Sequence, residues 1–139
     1  MQFIVPMLDY EDGIAAMEWL CRAFGFEERG RIVEADGRLS HGDLVLGSRR
    51  VLLASPSPDY RSPRNRRQDD AREQRLAALP WVIDGVLVYV DDVDAHYARA
   101  LAEGAIILTP PQDEGVGRLY RAEDPEGHRW MFLQGTPPV

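Results

Sequence analysis

Lysine is absent from the 139 residues, so every fixed cationic side chain is one of sixteen arginines. Without an ε-amine, Schiff-base chemistry of the pyridoxal-phosphate or imine-aldolase kind is excluded. A single cysteine, Cys21, rules out an internal disulfide and any multi-cysteine zinc or iron–sulfur site. Positive charge is scarce: 23 acidic residues outweigh the basic ones for a formal net charge of -7. Phosphate backbones and anionic lipid surfaces would be repelled, so neither nucleic acid nor a membrane is an expected partner. No run approaches the roughly eighteen apolar residues of a membrane span, and MQFIVPML has no basic lead. A cytoplasmic location is the expectation. P-loop, GxGxxG and HExxH motifs and any Ser/His/Asp order are also missing, which argues against nucleotide enzymes, zinc proteases and serine hydrolases of the familiar kinds.

What the chain does have is a repeat, at an offset of about eighty residues. In the first copy Asp12 caps a helix whose apolar stripe is Ile14, Met17, Cys21 and Phe24, and Gly25 stops it. In the second, Asp92 caps a helix with the stripe Val93, Tyr97, Ala100 and Leu101, and Gly104 stops it. Strands are expected at Phe3 to Leu8, Glu27 to Ala35, Arg38 to Leu46 and Val51 to Ala54, around a helix from Gly13 to Phe24. Asp36-Gly37 is a strong hairpin signal between the middle pair. The second copy offers Gly85 to Val90, a helix from Val93 to Glu103, then Ala105 to Leu108, Arg118 to Ala122 and Arg129 to Gln134. Each copy reads βαβββ. Two half-domains in one α+β domain over residues 1–139 are expected, as modules 3–54 and 85–134, with the ligand site in a cleft between them.

The connector, 55–84, holds arginines at 61, 64, 66, 67, 72 and 75. A solvated linker is the simpler reading of such a segment, and an anion-binding lid the other. Asp69 to Leu79 is expected to form a short helix, and Pro56 to Arg67 to be irregular.

The duplicated plan, with VYVDDVDAHYARALAEGA opening the second half, DPEGHRWMF closing it and AAMEWLCRAFGFEE in the first helix, resembles the vicinal oxygen chelate superfamily. That group holds glyoxalase I, extradiol dioxygenases, fosfomycin-resistance enzymes and bleomycin-resistance proteins. The likeness is greatest to its small glyoxalase-like, PhnB-like proteins. The resemblance implies a curved mixed sheet around a cleft, and a homodimer. In metal-using members four positions on the first and last strands of each unit bind one divalent ion. The matching positions are Val5, Leu53, Gly85 and Met131, which lack a hard donor, so neither a metal site nor any other cofactor is expected.

Alternation along the last strand puts Met131 on one face and Trp130 and Phe132 on the other, packed under the helices. His41 and Asp43 should point away from the helix, opposite Leu44 and Leu46, and His41 is the candidate for acid/base work. The expected ligand contacts are Val5, His41, Asp43, Leu53, Trp81, Tyr89, Tyr120 and Met131. His96 and His128 are assigned to surface or turn positions. The leading reading is a metal-independent small-molecule-binding protein. Beside it stand a metal-dependent lyase, isomerase or dioxygenase, and a protein-interaction module using the arginine-rich connector.

Overall fold

The computed structural model describes residues 1–81 and 84–138, so residues 82–83 of the connector lie outside the described residues. The order is β1 (Met7–Asp9), α1 (Gly13–Phe24), β2 (Glu27–Val33), β3 (Leu39–Leu46), β4 (Arg49–Ala54), α2 (Pro63–Arg66), α3 (Ala71–Ala77), β5 (Val86–Tyr89), α4 (Val93–Ala102), β6 (Ile106–Glu114), β7 (Gly117–Glu123) and β8 (Arg129–Gln134). Two four-stranded mixed sheets result, ordered β1-β4-β3-β2 and β5-β8-β7-β6, each with one parallel pair. The expected α+β class and the two βαβββ modules are present. The chain divides into compact units at residues 1–62 and 63–139, so α2 and α3 belong with the second sheet.

In the first unit, Asp12 Oδ1 accepts from the Ala15 amide at 3.0 Å, and Gly25 ends α1 at φ 81°, a conformation glycine adopts without penalty. The buried face is Ala16, Met17, Leu20, Ala23 and Phe24. It is rotated from the expected stripe, and Ile14 and Cys21 sit half-buried at its margins. The helix lies so close to β3 that a Cβ on Gly42 would come within 2.6 Å of Met17 Sδ. A side chain there would force the ends of Met17 and Leu39 to shift.

The second unit repeats these devices. Asp92 Oδ1 accepts from Ala95 N at 3.0 Å. The repeat extends to the first helical amide, which in both copies is taken by a side chain at the end of the last strand. Gly13 N donates to Ser55 Oγ at 2.8 Å, and Val93 N to Gln134 Oε1 at 2.8 Å. Each helix start is thereby tied to the strand that closes its own unit. The inner face of α4 differs from expectation, since Leu101 is exposed and His96 takes its place toward the sheet.

Two strands depart from their expected bounds. β1 begins only at Met7, after Pro6, and leaves Phe3 and Ile4 exposed. β6 continues to Glu114 through Pro110 and Pro111. Its register shifts between Thr109 and Gln112, and it is an edge strand, where prolines without an N–H are tolerated. Ser55→Ala should lower stability by about 1 kcal/mol, read as a fall in urea midpoint, because it strands the buried Gly13 amide.

Candidate functional site

Each sheet has one face under its helix and one turned away. In the first unit Gly42, Leu44, Val51 and Leu53 share the α1 side, by their register pairs and the Met17 contact. His41 and Asp43 take the opposite face, as expected from alternation, with Leu52, Arg50 and Ile32 beside them. Asp43 Oδ2 lies 3.6 Å from Arg50, while its Oδ1 is buried with no hydrogen-bond partner among the described residues. Leu53 does not join this group. At 2 % exposure it is part of the core under α1. Val5 precedes β1 and is half-buried.

In the second unit Tyr120 is drawn to the helix side. It is the register partner of Phe132, which fixes both on one face. Its hydroxyl lies 2.6 Å from His96 Nδ1, and the His96 ring centroid is 4.2 Å from that of Phe132. Burial holds the Tyr120 phenol well above its usual range, so it stays protonated at any working pH. Tyr120 is therefore a core group rather than a ligand contact, and His96 is its partner rather than a surface residue. Trp130 and Phe132 are fully buried on the same side, as expected.

The face away from α4 carries Met131 with its register partners Leu87 and Arg121, and Tyr89 opposite Leu133. The backbone at Trp81 is bound by Arg129, two residues before Met131 on the same face. Arg129 Nη1 donates to Trp81 O at 2.7 Å and to Leu79 O at 2.6 Å. Nη2 donates to Ala77 O at 2.7 Å, and Nε to Glu123 Oε2 at 3.0 Å. Nη2 also lies 3.0 Å from Glu123 Oε2, so all five guanidinium N–H groups have an acceptor. Arg67 completes the cluster, clasping Glu123 at 2.9 and 3.1 Å. These charges are nearly dry, Arg129 at 7 % and Glu123 at 2 % exposure.

The connector is consequently no free linker. Arg129 takes the Ala77 carbonyl at the C-terminal end of α3 and the Leu79 and Trp81 carbonyls that follow it, and Arg64 N donates to Glu126 O at 3.0 Å. At least one of the six connector arginines is committed inside its own unit. Trp81 itself is 53 % exposed. The signal that could have revealed this strap is Arg129 itself, a charged residue in an otherwise apolar closing strand.

A separate pocket of about 500 Å³ opens at the start of α1, bordered by Glu11, Asp12, Asp36, Arg38, Ser55 and Ser57. Its polar groups already serve the fold. Asp12 and Ser55 cap α1, Glu11 accepts from Ser62 N, and Arg38 bonds Ser55 O.

For a divalent ion, the open-face positions of the first and last strands are the ones that matter. They carry Met7, Asp9, Leu52 and Ala54 in one unit, and Leu87, Tyr89, Met131 and Leu133 in the other. One carboxylate, one phenol and two thioethers do not fit a hard or borderline cation. Among the described residues no three His, Cys, Asp or Glu side chains converge.

Paired βαβββ units with a parallel first and last strand define the vicinal oxygen chelate class of fold. The chain belongs to the Glyoxalase/Bleomycin resistance protein/Dioxygenase superfamily, whose family model matches residues 7–132. It is 31% identical over 135 residues to uncharacterized protein Mb0911c of Mycobacterium bovis, covering 96% of this chain and 84% of that one. Among solved structures it is similar to TioX from Micromonospora sp. ML1, at 33% identity and TM-score 0.71, covering 98% of this chain and 100% of TioX. TnmS3, an antibiotic binding protein from Streptomyces sp. CB03234, shares the fold at 18% identity and TM-score 0.62, over 97% of this chain and 98% of that one. Among the described residues no helix is long and apolar enough to cross a membrane.

Two consequences can be measured. Arg129→Met removes three hydrogen bonds to carbonyls and half of the Glu123 pairing, and should cost about 3–5 kcal/mol in urea denaturation. At Cys21, burial and the nearby Glu28 carboxylate push the thiol up, leaving less thiolate at neutral pH than free cysteine has. Reaction with an aromatic disulfide reagent at neutral pH should be slower than for free cysteine.

Proposed function

We propose that this chain is a small-molecule-binding member of its superfamily that works without a resident metal ion. The observation that carries the reading is the chemistry of one sheet face. Leu87, Tyr89 and Met131 offer apolar and aromatic surface, with Arg121 as a polar group and Trp81 a further proposed contact, where a metal-using relative would need oxygen and nitrogen donors. Pockets for organic ligands have this composition, mostly apolar with a few directed polar groups. Burying apolar ligand surface there contributes about 25 cal/mol per Å². His41 and Asp43, on the open face of the first sheet, are further proposed contacts. That TnmS3 is an antibiotic binding protein is in keeping with ligand capture as a use of this fold. A cytoplasmic homodimer completes the proposal, and light scattering should return twice the chain mass.

The test pairs metal analysis with dye binding. Protein purified without an affinity tag, incubated with Mn, Fe, Ni and Zn and then desalted, should retain no stoichiometric metal. About one ion per chain would instead favour the metal-dependent lyase, isomerase or dioxygenase. The neutral dye phenylnaphthylamine should bind the native chain, and Met131→Asp should weaken it about tenfold at an unchanged melting temperature, since a carboxylate on the apolar face must be desolvated. Undiminished binding by Met131→Asp would reject this face as the site.

A further inference from the structure

Two arginines stand on the open face of the second sheet, on neighbouring strands, and they are used differently. Arg129 has an acceptor for each of its five N–H groups. Arg121 is also mostly covered, with its side chain at 16 % exposure. Yet its contacts among the described residues are a 3.3 Å hydrogen bond to Thr109 Oγ1 and a 3.7 Å ion pair with Glu114. Most of its planar donor fork is unspent. None of its nitrogens is among the buried side-chain atoms without a partner in the described residues, so the spare donors reach solvent and stand open to a ligand.

The neighbours say what that resource reads. Arg121 is the register partner of Met131, so the fork stands at the edge of the apolar surface formed by Met131 and Leu87 across the sheet. Glu114, its present counter-charge, lies at the end of edge strand β6 with 36 % of its side chain exposed, and it also accepts from Gln112 Nε2 at 2.8 Å. It can turn to solvent when another anion arrives. The chain's net charge of -7 opposes anions at long range, but that field is screened beyond about 8 Å at physiological salt. The local fork decides.

We infer that Arg121 is the specificity-determining residue of this face, selecting small molecules whose apolar or aromatic body ends in an anionic oxygen group such as a carboxylate or sulfonate. The inference rests on the ligand-binding reading above and deepens it. A planar fork takes two oxygens of such a group at once, which an ammonium cannot do.

A matched pair of dyes tests it. Anilinonaphthalene sulfonate and phenylnaphthylamine share an aromatic body, and only the first carries the sulfonate. The native chain should bind the sulfonate about tenfold more tightly than the neutral dye. Arg121→Met should abolish that preference while leaving phenylnaphthylamine affinity within about twofold, and Arg121→Lys should fall between. Glu114→Gln should tighten the sulfonate severalfold by removing its competitor. An unchanged preference in Arg121→Met, or in Arg121→Lys should the methionine variant not fold, overturns the inference and leaves the ligand face standing. Failure of the native chain to bind either dye, or indifference of both dyes to Met131→Asp, overturns the face and the inference together.

Discussion

The buried Glu123 carboxylate, held between Arg67 and Arg129, is the constraint on which the second unit depends. Withdrawing three charges from water costs several kcal/mol for each ion, and that cost is offset only where every donor and acceptor finds a partner. Here Arg129 has used all five donors, two contacts going to the carboxylate and three to carbonyls of the last residue of α3 and the segment after it. The start of the closing strand, the end of β7 and the strap that precedes β5 thereby become one object. Breaking the cluster in part would leave buried charge unpaired, so these contacts hold the segment from Ala77 to Trp81 against the closing strand.

The division of labour between sheet faces follows from how each unit is closed. The side chain at the end of the last strand, Ser55 or Gln134, takes the first helical amide, which seats the helix over one face. Whatever lies on that face becomes core. Gly42 lets Met17 lie close against β3 without displacement, and Tyr120 is there because its hydroxyl has His96 to bond. The other face is released from packing against its helix and can carry residues chosen for recognition. On the second sheet these are Met131, Leu87, Tyr89 and Arg121.

Much of this was legible in the residues. The bounds of α1 and β8 follow the Asp12 cap, the Gly25 stop and the Asp124–Gly127 turn. The opposed faces of Met131 and Trp130 follow from strand alternation alone. Tyr120 was misplaced because alternation within β7 does not say which β8 residue it opposes. The β7–β8 turn sets that register, and it pairs Tyr120 with Phe132 rather than Met131. β6 runs past the expected Leu108 because an edge strand with a shifted register absorbs the adjacent prolines. Arg121 and Arg129 were invisible as a contrasting pair, since nothing local distinguishes a saturated guanidinium from one with donors to spare.

By itself the sequence determined the duplicated βαβββ plan, the α+β class, the exclusion of lysine and multi-cysteine chemistry, and the poverty of metal donors on the closing strands. These are matters of residue type and short-range period, which need no partner to be expressed. Only the tertiary structure decided that the connector is a strap bound by Arg129, that His96 turns toward the sheet to meet Tyr120, and that Arg121 has donors to spare beside Met131. Each of these depends on groups far apart in the chain, and a hydrogen bond between them exists only once register and packing have brought donor and acceptor within about 3 Å.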